Sequence, residues 1–281
     1  MRKSIKIWLI IATCFVVAGL VCVTCAMAAV GFDIKKLATI SYQENTIRVN
    51  GEFDRLEIDV NTAAIELVKT DKQPCRIEYC EPENVGISAD VNNRTLTIRE
   101  KDQREWHEKI GLSFDRPKIK ICLPKDKYDD AAIKTVSGDV RISDDLTFGS
   151  LTVEATTADI DCGANVTKTM SIHVTTGDVR LEKLTADDLE ITAVTGDIEL
   201  ISVKAEKLRI ETTTGDVRFD RSDAKEIVVT TTTGDVTGSL LSAKRFDVQT
   251  TTGDIDVPSA TSGGSCKITT TTGDISIEFD K

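Results

Sequence analysis

Leu208-Arg209-Ile210-Glu211-Thr212-Thr213-Thr214-Gly215-Asp216-Val217-Arg218-Phe219 is the stretch that decides the fold of this chain. Apolar and polar residues alternate on both sides of Gly215-Asp216, the period-2 pattern of a half-buried strand. Glycine permits the φ > 0 backbone of a tight corner, and an Asp there can hydrogen-bond to nearby backbone. The segment therefore reads as strand, corner, strand.

The same unit returns along the second half of the chain. Its Gly-Asp dipeptides begin at Gly138, Gly177, Gly196, Gly215, Gly234, Gly253 and Gly273, with Ala158-Asp159 as a variant, always 19 or 20 residues apart. A fixed period near 20 means one structural unit per repeat. One such unit buries four or five apolar side chains, too few to offset the entropy of ordering its backbone, so each coil must stack on the next. The expected fold class is all-β: a single-stranded β-solenoid of about 19-residue coils, preceded by one N-terminal transmembrane helix. Eight coils at ~4.8 Å each would rise about 38 Å. The Asn or Cys ladder of leucine-rich repeats is missing, and so is any sub-period of six. Ala186, Ala205, Ala224 and Ala243 recur in step, so small residues should line a second corner where successive coils approach closely.

Working outward, residues 131–281 form the regular solenoid with eight Gly-Asp-type coils, and residues 53–130 an irregular β-rich beginning. There Leu56-Glu57-Ile58 and Ala63-Ala64-Ile65-Glu66-Leu67 resemble a degenerate coil about four periods before Gly138. Residues 31–52 read as a linker and first strand. The stretch from Lys101 to Pro117 breaks the pattern and is expected to be a loop or short helix on the solenoid. Residues 7–30 carry no charge and follow Arg2, Lys3 and Lys6. As a helix they would span about 36 Å, enough to cross a hydrocarbon core of ~30 Å. They read as a membrane anchor, with residues 1–6 cytoplasmic and the C-terminal domain outside. A secreted product, cleaved near Ala26-Met27-Ala28, is the alternative.

The formal net charge is -11, and the acidic excess lies wholly within residues 131–281. Nucleic-acid binding is excluded as an expectation, because it rests on Lys and Arg neutralising phosphates. Two histidines leave little room for imidazole chemistry. No Ser, His and Asp set or metal-type His cluster stands out, so the chain reads as no enzyme and as needing no cofactor. Of eight cysteines, Cys14, Cys22 and Cys25 lie in the apolar segment. Cys162 and Cys266 replace apolar residues of other repeats and read as core; a Cys75 to Cys80 bridge is a possibility.

The Thr-Thr-Thr-Gly-Asp-Val units, the strand Lys118-Ile119-Lys120-Ile121-Cys122-Leu123-Pro124 and the N-terminal anchor together resemble the bacterial "putative adhesin" family, a domain of unknown function. Related domains occur in envelope-stress proteins of Gram-positive bacteria. The resemblance covers about residues 40–281. It implies a surface β-solenoid with adhesion or envelope-stress roles, and it carries no catalytic residues.

Three candidate sites follow. The Asp column, namely Asp139, Asp159, Asp178, Asp197, Asp216, Asp235, Asp254 and Asp274, places carboxylates ~4.8 Å apart, a spacing that must be solvated, hydrogen-bonded or neutralised. Calcium is one reading of Asp178 to Asp274; an Asp that satisfies its own turn is the competing one. The Thr pairs Thr212 and Thr214, Thr231 and Thr233, Thr250 and Thr252, and Thr270 and Thr272 suggest a flat array for ice or carbohydrate, or strand residues beside a corner. Trp106, His107 and Phe114 are candidates for partner binding, or else they cover the solenoid. Expected partners are the membrane through residues 7–30 and a surface ligand or envelope-stress protein. A second copy could join through an open C-terminal coil ending at Phe279.

Overall fold

The computed structural model describes residues 3–29, 31–33, 42–82, 84–104 and 116–280. Two compact units divide the chain: Met1–Tyr42 with Arg104–Asp115, and Gln43–Gln103 with Arg116–Lys281. The first unit contains the helix Lys3–Ala29, whose segment Ile10–Ala29 is long and apolar enough to cross a membrane. The described side chains of this helix are almost all exposed, including Trp8, Phe15 and Leu20.

The second unit is a β-solenoid of two facing parallel sheets. A rung starts on the first sheet, turns at Gly-Asp and returns along the second. The strand Thr185–Thr195, for instance, leads through Gly196-Asp197 into Ile198–Ile201. Lys204–Thr214 then stacks on Thr185–Thr195 in register, Leu189 against Leu208 and Ile191 against Ile210. Inward side chains follow the predicted alternation, as in the strand Ala64–Lys69, where Ile65 and Leu67 are buried. Cys162 and Cys266 lie in this core, as expected.

The second corner falls at Lys183, Ser202 and Arg221, all with φ near +50°. Just beyond it, Ala186 stacks on Ala205 and Ala205 on Ala224. Ser222 is fully buried there and donates to the Leu200 carbonyl while accepting the Val203 N–H.

Rung order departs from chain order at both ends of the stack. Near the start, the strands Arg55–Val60 and Ala64–Lys69 pair directly with Lys127–Ser137 and Val140–Ile142. The degenerate coil is thus next to the Gly138 coil, with none between them. The residues separating the two in sequence form an outer rung, Thr95–Asp102 with Lys118–Leu123, on its other side. Antiparallel strands Val85–Asn92 and Cys75–Pro82 then close that end.

At the far end, Val217–Thr233 pairs with Gly264–Thr272, which pairs in turn with Lys244–Thr252. Ile275–Phe279 likewise sits between Val236–Leu240 and Ile255–Asp256. The expectation of an open coil ending at Phe279 is therefore corrected. The last coil in sequence is inserted, and the end rung is Lys244–Asp256. Gly263 and Gly264 explain why the insertion fits: a Cβ on Gly263 would lie 1.9 Å from the Ala243 carbonyl oxygen, and one on Gly264 2.3 Å from that of Lys225. Lys244 is buried to 1% exposure and pairs with Asp223 on the far side of the inserted rung. The ion pair clips the end rung across the coil threaded beneath it.

Cys75 and Cys80 are not joined to each other. Both stand on the single strand Cys75–Pro82, five residues and about 16 Å apart, so no bridge can join them.

Candidate functional site

The Gly-Asp corner is built by close stacking. Gly215 has φ 144°, and a Cβ there would lie 2.0 Å from the carbonyl oxygen of Gly196 one rung below. Gly177, Gly196, Gly234, Gly253 and Gly273 share the positive φ. Gly138 does not, and it is required for space alone, since its Cβ would meet the Ala63 carbonyl oxygen at 2.3 Å.

Above each glycine, the Asp carboxylate accepts the backbone N–H of the Asp in the next rung. Asp159 takes the Asp178 N–H at 2.9 Å, Asp178 that of Asp197 at 2.8 Å, Asp197 that of Asp216 at 2.9 Å, and Asp216 that of Asp235 at 2.8 Å. The row then follows rung order: Asp235 accepts from Asp274 at 2.7 Å, and Asp274 from Asp254 at 2.8 Å. Each Asp thus caps its neighbour rather than its own turn. No group of three His, Cys, Asp or Glu side chains among the described residues converges as metal ligands would.

The Thr pairs separate. Thr212, Thr231 and Thr270 point inward and are buried, with the Thr270 hydroxyl donating to the Gly234 carbonyl. Thr214, Thr233, Thr252 and Thr272 are exposed beside the corner. The outward column runs instead through the residue between them, Thr156, Thr175, Thr213, Thr232, Thr271 and Thr251, preceded by Val136 and interrupted by Val194 at 50% and 46% exposure. An exposed edge of hydroxyls thus runs alongside the carboxylate row. Near its start, where Ala158 replaces glycine, a groove of about 460 Å³ lies among Thr62, Arg116, Asp139, Ala158, Asp159 and Thr176. Sequence reading missed this groove; the Ala158 variant was the available signal. Trp106, His107 and Phe114 lie outside the described residues. His173 is exposed on the strand Thr169–Thr176.

A family model matches this chain twice, over residues 53–193 and again over 165–281. The chain belongs to the Toastrack DUF4097 family. Two overlapping matches on one Toastrack solenoid follow from repeats that resemble each other. No curated protein matches the chain. Among solved structures, a "putative adhesin" from Parabacteroides distasonis is similar at 16% identity and TM-score 0.56, over 84% of this chain and 97% of that one. A "putative adhesin" from Bacteroides fragilis gives 16% identity and TM-score 0.50, over 85% and 97%. At such identity the likeness concerns the Toastrack fold alone.

Proposed function

We propose that this Toastrack chain is a membrane-anchored, extracytoplasmic binding scaffold, adhesin-like and without catalysis, with residues 7–30 in the membrane and the solenoid outside. The observation that carries the reading is the exposed edge of Thr hydroxyls and Asp carboxylates repeated from rung to rung. Each rung adds the same small contact, and many weak contacts held in one rigid row gain strength by avidity. Hydroxyls and carboxylates without aromatic platforms suit a polar, hydroxyl-rich surface ligand bound by hydrogen bonds. The apolar helix Ile10–Ala29 supplies the means of attachment, and the adhesin descriptions of the similar structures agree with the role.

The test compares cells carrying the full chain, cells lacking it, and cells carrying a chain with Thr213, Thr232 and Thr251 each changed to Lys, on surfaces coated with glycans or extracellular matrix. Attachment that needs the chain and falls with the Lys variant supports the reading. Unchanged attachment, together with an altered envelope-stress response on deletion, would replace it with a regulatory role at the membrane.

A further inference from the structure

We infer that two copies of this chain join end to end through the strand Lys244–Thr252. The two ends of the stack are built differently. At the start of the solenoid, the outermost rung is covered by the antiparallel strands Val85–Asn92 and Cys75–Pro82. At the far end, Lys244–Thr252 pairs with Gly264–Thr272 alone among the described residues, leaving its other edge of N–H and C=O groups without a strand. That edge runs nine residues without proline or bulge, and so lacks the usual protections against strand addition. The core is also left unfinished there. Ile255 is 46% exposed, whereas Ile275, its partner one rung in, is fully buried, and Leu241 in the turn leading to the end rung is 40% exposed. Phe246 and Val248 are only half-buried, whereas their partners Cys266 and Ile268 are fully buried.

Charge selects a second copy as the occupant. Arg245 and Asp247 are exposed on the outward face, flanking Phe246. Antiparallel pairing about a two-fold axis at Phe246 sets each Arg245 opposite the other copy's Asp247, and Phe246 opposite itself. Opposite residues of antiparallel strands share a face, so both ion pairs form outside and the two rings meet inside. Asp247 already neighbours Lys267 in register, so the joined sheets would carry an alternating row of charge across the junction. A self-complementary patch of this kind is what a two-fold interface requires, and it closes at two copies. Head-to-tail pairing would instead set this strand against Val85–Asn92, which carries no Arg or Lys to meet Asp247. The inference is independent of what the outward Thr edge binds.

Sedimentation of the full chain in detergent micelles over a concentration series tests it. A dimer is expected. Asp247→Arg and Arg245→Asp should each weaken it about tenfold by placing like charges opposite one another, and the double exchange should restore it. A native chain that stays monomeric, single variants that dimerise as tightly as the native chain, or a double variant no better than the singles would overturn the inference. Hydrogen exchange gives a readout without substitution: amides of residues 244–248 should gain protection as concentration rises, and flat protection would be contrary.

Discussion

Gly215 is where a single atom matters most. An added Cβ would meet the Gly196 carbonyl at 2.0 Å in a backbone conformation that L residues avoid, so Gly215→Ala should cost about 2–4 kcal/mol. Thr213→Val on the exposed column should stay within ~0.5 kcal/mol; thermal melts of the two variants make the comparison. The thiols set the alkaline behaviour. Burial pushes Cys162, Cys75 and Cys266 up to about 12 from an ordinary value of 9.0. Between these values the unfolded chain loses thiol protons that the folded chain keeps, so stability falls as pH rises above 9. Cys162→Ala should flatten that slope. At this scale the Gly-Asp corners and the core cysteines were legible, because each repeats or replaces a residue of known environment. The alanine column announced a second corner but not its turning residues, since Lys183, Ser202 and Arg221, three positions earlier, adopt positive φ without the Gly or Asn that would mark them. Nor did the residues show that an Asp carboxylate serves the rung above, because its bond spans 19 residues of sequence, as from Asp216 to Asp235.

Among the elements, the inserted rung has the clearest consequence. A chain ending before Gly264 loses the strand on which Lys244–Thr252 rests, so two rungs should go rather than one. Limited proteolysis read by mass spectrometry should show cleavage between residues 241 and 263 in that truncation and protection in the full chain. Lys244→Met leaves the Asp223 carboxylate without its buried partner and should cost about 3 kcal/mol, read as a lower midpoint in denaturant. At the opposite end, Lys118 beside Glu66 ties two neighbouring strands and holds the Glu66 carboxyl below its ordinary 4.5. That stabilisation is complete above 4.5 and disappears as pH falls through the lowered folded value, so Glu66→Gln should melt with a shallower acid slope. Strand positions were legible from alternation. Rung order was not, because rungs of nearly identical sequence can pair in several orders; Gly263-Gly264 and the buried Lys244 favour the native one.

For the whole molecule, the all-β class, the solenoid and the family were readable from one period, whereas a groove formed by stacking could not be read from a single unit. The row of Asp carboxylates is satisfied by backbone N–H groups, so adding a chelator should leave the melting temperature of the full chain unchanged; a fall would give the row to calcium. The proposed binding role requires a solenoid held outside the cell by its own helix. The direct measurement labels intact cells with a membrane-impermeant amine reagent and weighs the chain recovered from the membrane fraction. A labelled chain at the full 30.7 kDa is the predicted result. Labelling that appears only after lysis would contradict the account.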